Sequence, residues 1–219
     1  FIKFLLILFT IIVIVVGYLS IFGLETNKFN NLIQSKANSV NQHVKLNFDS
    51  SKIHLNLKEF NVLFKLKNPK ILAKGDEIDL DKFDIIVSLK ILYSSDFPLK
   101  RINLGFKENK ITDLGKVTNI FLPRFINNQI NKILSTGTIE GEIELPFEAD
   151  GKISKNLNFN GKIKKTNLDI LKDFPIKDLT SAIKYSAKEG KEISFNIEKG
   201  SILNLTLDKS LINIKIQKN

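Results

Sequence analysis

Apolar and polar positions divide this chain into two regimes. Over residues 1–24 apolar side chains run almost without a break, whereas from Val44 onward they alternate with polar ones. Between Phe4 and Leu24 there is no charge, and Thr10, Tyr18 and Ser20 are the only polar side chains. About 21 residues at 1.5 Å rise give roughly 31 Å, the thickness of a bilayer's hydrocarbon core. Lipid offers the backbone no outside hydrogen-bond partner, so the segment is predicted to be a spanning helix. The run is longer than the apolar region of a cleaved signal, and Ser20-Ile21-Phe22-Gly23 is not an A-x-A-like cleavage site. An uncleaved anchor is therefore expected, with a domain held at a membrane surface behind it.

Residues 25–41 carry Phe29, Leu32, Ile33, Ala37 and Val40 at helical spacing, with Thr26 as a candidate N-cap. This predicts an amphipathic helix that covers the end of a sheet or lies on the membrane. From Val44 the period becomes 2. Val44, Leu46 and Phe48 alternate with polar residues, as do Ile53, Leu55 and Leu57, and then Val62, Phe64 and Leu66 before the turn signal Asn68-Pro69. Further strands are expected at residues 78–81, 85–91 and 102–106, with a short one at Ile111. Residues 119–134 break the alternation: beyond Pro123, residues Phe125, Ile126, Ile130, Ile133 and Leu134 form a helical stripe. Alternation then resumes at residues 138–149, 153–163, 183–185, 193–197, 203–207 and 212–216, with turns at Asp150-Gly151, Gly190 and Lys199-Gly200. Residues 168–178, which include Pro175, are expected to be a connection.

Short polar links between strands imply antiparallel pairing, because parallel strands need long crossovers. The expected fold is mainly β: a transmembrane helix, then a curved antiparallel sheet with two short amphipathic helices. The organisation expected is an anchor over residues 1–24, a first β region with its leading helix over 25–120, and a helix with a second β region over 121–219.

Composition narrows the function. The formal net charge is +10, but lysine supplies nearly all of the positive charge and is scattered among apolar residues. Nucleic-acid proteins concentrate charge and read base edges with arginine, so a nucleic-acid partner is not expected. The chain has no cysteine, which excludes disulfides and thiolate chemistry. Of the two histidines, His54 lies between Ile53 and Leu55 and is expected on the solvated face. No nucleophile elbow, P-loop or zinc-ligand spacing is present. Residues 75–81 superficially resemble a calcium loop but lack its central glycine and closing glutamate, so Glu77, Asp79 and Asp81 are expected to form a solvated acidic face. No enzyme activity, metal or cofactor is expected. Lys3 before the anchor and Lys28 and Lys36 after it leave its orientation open.

A sheet apolar on one side must hide that side, by packing on itself or on a helix, or by curling into a trough that holds something apolar. Each acyl CH₂ buried there gains about 0.8 kcal/mol, so phospholipid tails are suitable occupants. The expected lining is Ile53, Leu55, Leu57, Phe64, Leu66, Ile193, Phe195, Ile197, Leu203, Leu205, Leu207, Ile212, Ile214 and Ile216.

The order of these features resembles a known family. After the anchor come the helix at Phe29–Val40, then Val44-Lys45-Leu46 and Ile53-His54-Leu55-Asn56-Leu57, then Phe60 to Asn68, Ile78 to Leu89 and Ile102-Asn103-Leu104. This succession is similar to the start of the AsmA-like envelope proteins related to YhdP and TamB. Leu122-Pro123-Arg124-Phe125, Gly137 to Gly141 and Asp150-Gly151 are similar to their repeated strands. The resemblance implies a single-pass bacterial inner-membrane protein with a periplasmic β-groove that acts in phospholipid transport or outer-membrane homeostasis. The alternatives are an anchored β-sandwich scaffold that binds other envelope proteins, or copies of itself, through its edge strands, and an anchored module that holds an anionic polymer by its lysines.

Overall fold

The computed structural model describes residues 1–40, 44–73, 76–92, 99–113, 136–169, 174–187 and 192–215. The first apolar run forms one helix, α1 (Ile2–Ile21), apolar enough to cross a membrane and with no residue buried. It ends where Phe22 and Gly23 both donate backbone N–H groups to the Tyr18 carbonyl, at 2.9 and 3.2 Å. Gly23 adopts φ +70°, the left-handed conformation that closes helices at low steric cost.

Leu24 does not continue the apolar helix, and Glu25 and Thr26 do not start the next one. They form strand β1 (Leu24–Thr26), because Ser50 Oγ donates to Glu25 Oε1 at 2.6 Å and Ser51 Oγ to the Thr26 carbonyl at 3.1 Å. Thr26 is accordingly no N-cap: its hydroxyl accepts from the Lys28 N–H in a tight turn, and helix α2 runs from Asn30 to Val40. Ile33 and Ala37 pack on the core and Phe29 meets Phe64 edge to face, so α2 covers the sheet.

The remaining elements are strands β2 (Val44–Asn47), β3 (Ser51–Asn56), β4 (Asn61–Leu66), β5 (Lys70–Ala73), β6 (Asp76–Ser88), β7 (Leu99–Lys110), β8 (Thr138–Pro146), β9 (Asn158–Leu168), β10 (Ile176–Ser186), β11 (Glu192–Ile202), β12 (Leu205–Leu207) and β13 (Ser210–Lys215). Every pairing is antiparallel. The sheet order is β1-β3-β4-β6-β7-β8-β9-β10-β11, and it stays open. The expected mainly β fold behind one long apolar helix is the fold observed. The second expected amphipathic helix, at 119–134, lies outside the described residues. The β regions expected on either side of residue 120 share one sheet, joined where β7 pairs with β8.

Local departures from the alternation have local causes. β2 and β3 read as one strand broken at residues 48–50, opposite a break in β4–β5 where Asn68 takes φ +49° before Pro69. β6 is long enough to pair with β5 by its first residues and with β4 by its last. Ile111 begins a helical turn, and Leu89–Leu92 is a 3₁₀ turn that ends the predicted strand early. Strand β10 begins seven residues before the predicted one, because irregular pairing between Lys177 and Ser181 hides its period. Lys199-Gly200 lies inside β11, where a Cβ on Gly200 would stand 3.3 Å from Leu179 Cδ1. The turn falls instead at Leu203-Asn204, both with positive φ. Strands β12 and β13 therefore both pair with β11, one after the other, rather than with each other.

Candidate functional site

The cross-strand register decides which side chains share a face, because residues directly opposite in an antiparallel pair point the same way. Three rows cross the sheet. One joins Leu24, Ile53, Phe64, Ile85, Ile102 and Leu145. The next joins Phe83, Leu104, Ile143, Phe159, Tyr185, Ile193 and Ile214. The third runs Leu80, Phe106, Gly141, Gly161, Ile183, Phe195 and Ile212. The two glycines stand opposite each other and leave room for an aromatic ring. A Cβ on Gly161 would come 2.5 Å from Phe159 Cζ, and the Phe159 ring stacks nearly parallel on Phe106 with centroids 6.2 Å apart. The result is an apolar face that reaches from one edge of the sheet to the other.

Exposure along this face is graded. Leu104, Phe106, Leu145 and Ile163 are buried at its centre. Ile53, Leu55, Phe64 and Ile85 towards one edge are half-buried, as are Ile193, Ile212 and Ile214 towards the other. Of the predicted lining, Leu66, Phe195 and Ile197 are buried, so they belong to the packed core rather than to an accessible surface. Leu57 lies in the turn after β3 and Leu203 in the turn after β11. Leu205 and Leu207 continue the apolar face on β12, Leu205 exposed and Leu207 half-buried against the core. Ile216 lies outside the described residues. Sequence reasoning omitted the centre of the face, including Ile102, Leu104, Ile143, Leu145 and Ile183. The signal is present, since Ile102-Asn103-Leu104 and Ile143-Glu144-Leu145 alternate as cleanly as Ile53-His54-Leu55 and Ile212-Asn213-Ile214.

The opposite face carries charge that is matched across strands. Lys82 reaches over Gly105 to Glu142 at 3.1 Å, and Lys162 reaches over Ala182 to Glu198 at 2.7 Å. Arg101 pairs with Glu144 at 3.0 Å, and Lys164 with Glu108 at 2.7 Å. The Lys164 bond, then the Thr138 hydroxyl, holds the Glu108 carboxyl below the usual carboxylate range. Glu77, Asp79 and Asp81 are exposed as expected, and Lys70 and Lys107 pair with them. Among the described residues Lys70, Lys82, Lys107, Lys162 and Lys164 are thus each paired with a carboxylate.

Two titratable groups on this side depart from solvated behaviour. His54 is half-buried beside Gly23 rather than solvated, and burial, then Lys65 and Lys52, lowers its pKa. Asp84 is buried, and that burial raises its pKa against the opposing pull of Lys82 and Lys65. A cleft of about 530 Å³ opens at the break between β2 and β3, lined by Asn47, Asp49, Asn68, Lys70, Asp79 and Lys107 over Phe48, Pro69 and Leu80. Its cations are already paired, and Asn68 Nδ2 donates to Asp49 Oδ2 at 2.7 Å. Among the described residues no group of His, Asp and Glu side chains is placed to hold a metal ion.

No protein-family model matches the chain, and no solved structure matches it. It is similar to a phosphate import ATP-binding protein, PstB, of Mycoplasmoides gallisepticum, with 29% identity over 130 residues. That similarity covers 56% of this chain and 39% of the relative, so it spans about two-fifths of the relative's length.

Proposed function

We propose that the chain is a membrane-anchored lipid-handling protein: its sheet offers an apolar face to phospholipid acyl chains and takes part in moving lipid between membranes or in outer-membrane homeostasis. The observation that carries this reading is the unbroken apolar face of an open sheet attached to a helix of spanning length. Its half-buried members near both edges, among them Ile53, Phe64, Ile193 and Ile214, leave apolar surface for a tail to cover. Covering a run of five acyl CH₂ groups would gain about 4 kcal/mol at 0.8 kcal/mol each. No polar chemistry on that face is required. The ATP-binding role named for the PstB relative is not carried over, because the sequence has no G-x-x-x-x-G-K-[ST] run to hold a nucleotide's phosphates.

The test uses the full chain in membranes that contain a phospholipid with a photoreactive acyl chain. Cross-links on β11 and β13 are expected besides those on α1, which serve as the internal standard. Ile214→Asp should remove most of the strand cross-links and Asn213→Asp should not, because these neighbours point to opposite faces. Equal effects in two folded variants would refute the assignment.

A second reading is favoured by one feature. On its outer side β13 has no strand partner among the described residues, and Leu211 on this strand is exposed. An edge of that kind suits strand addition by another protein, and cross-links confined to α1 would turn the choice towards this scaffold.

A further inference from the structure

The turn between β3 and β4, Leu57-Lys58-Glu59-Phe60, leaves the sheet at the end where α1 joins it. Leu24 pairs with Ile53, and Gly23 lies so close to His54 that a Cβ there would stand 2.7 Å from the imidazole Cε1. From Leu24 the chain runs away from the helix, and β3, being antiparallel, runs back towards it. Three residues at about 3.3 Å each carry the chain roughly 10 Å from His54 to Leu57. The headgroup layer of one leaflet is about 5–8 Å thick, so a turn at that reach meets the bilayer in which α1 would sit.

The turn is built to present apolar groups. Phe60 is 60% exposed and Leu57 48% exposed, which would be an unfavourable display in water alone. Phe60 also adopts φ +54°, a conformation strained for a bulky residue. The backbone around it is fixed: the Glu59 N–H donates to Asn56 Oδ1 at 3.1 Å, and the Leu89 N–H donates to the Phe60 carbonyl at 2.9 Å. The main chain that carries the ring is therefore held at this end of the sheet. Lys58 and Lys100 are exposed beside it, and Lys100 Nζ donates to the Glu59 carbonyl. Cations flanking exposed apolar side chains are the complement of an anionic headgroup layer over acyl chains.

We infer that the β3–β4 turn inserts Phe60 and Leu57 into the interface of the bilayer that holds α1, a second contact that fixes the sheet's tilt against the membrane. This rests on the anchored reading of the chain. The sequence contains no tryptophan, so one introduced residue reports alone. The full chain is reconstituted in vesicles of phosphatidylcholine and phosphatidylglycerol, with and without phosphatidylcholine brominated on its acyl chains. Three variants are compared after circular dichroism shows the native β signal: Phe22→Trp at the helix end, Phe60→Trp at the turn, and Leu203→Trp at the opposite end of the sheet. Brominated lipid should quench most of the emission of Phe22→Trp and Phe60→Trp and leave Leu203→Trp unchanged. Quenching of Phe22→Trp alone overturns the inference and leaves the anchor standing. An unquenched Phe22→Trp overturns the anchor, and the inference with it. Quenching of all three, as for a sheet lying flat, also overturns it.

Discussion

Replacing Gly161 by alanine adds one carbon at the most crowded point of the apolar face. That carbon would press into the Glu140 carbonyl oxygen and come 2.5 Å from Phe159 Cζ. The ring can swing aside, but the carbonyl belongs to the ladder of β8 and moves only with it. Overpacking of this kind costs about 1–3 kcal/mol. Displacing the Phe159 ring also forfeits its stack on Phe106, worth about 0.5–1.5 kcal/mol. A stiffer unfolded chain returns about 0.4–1 kcal/mol, so the net loss is about 0.5–4 kcal/mol. Gly105→Ala is the milder comparison: its Cβ would lie 3.0 Å from Lys82 Cβ, 3.6 Å from the Lys82 backbone nitrogen and 3.7 Å from Glu142 Cγ, all looser than the contacts at Gly161. Urea unfolding of the full chain in mild detergent, followed by far-UV circular dichroism, should show a lower midpoint for Gly161→Ala at an unchanged slope. Gly105→Ala, with its looser contacts, should lower the midpoint less than Gly161→Ala does. Equal midpoints for Gly161→Ala and the parent, or equal losses in the two variants, would refute the account of why this face is smooth.

Leu203→Gly is expected to stabilise the protein. Leu203 sits at φ +47° in a two-residue hairpin turn where glycine is unstrained, and its side chain is mostly exposed, so a gain of about 0.5–1 kcal/mol should appear as a raised urea midpoint. The pH dependence should carry the mark of His54. Burial lowers its folded pKa below the unfolded 6.5, so the unfolded chain binds the proton more readily and stability falls as the pH drops below 6.5, levelling off beneath the folded pKa. Asp84 works in the opposite sense, since its raised folded pKa adds stability as the pH falls through that value. Urea midpoints from pH 5 to 7.5 should therefore be flatter for His54→Gln than for the parent, and parallel profiles would exclude His54 as the cause.

The alternation of Val44 to Leu66 and of Thr138 to Leu145 made most strands legible, because a half-buried pleated sheet imposes period 2 on whatever sequence forms it. The apolar run before Leu24 was equally plain. What stayed hidden depends on partners far along the chain. Glu25-Thr26 looks like a helix start until its pairing with Lys52 and Ser51 of β3, backed by the Ser50 and Ser51 hydroxyls, is seen. Gly200 reads as a turn until Leu179 and Ile176 are seen packed over it. The face itself was half legible. Parity within a strand is written in the sequence, but register between strands is not, and the irregular pairing of β10 with its neighbours moves Leu207 and Gly200 to the side of Ile197 in a way that counting by twos does not reveal.

The junction between α1 and the sheet has a mechanical consequence. Strand β1 is three residues long, and among the described residues its one strand partner is β3. A pull on α1 would enter the β structure through Leu24, Glu25 and Thr26 and their three register pairs with β3. Those three pairs make a shorter ladder than the eight that join β10 to β9 and to β11, and so would part first under load.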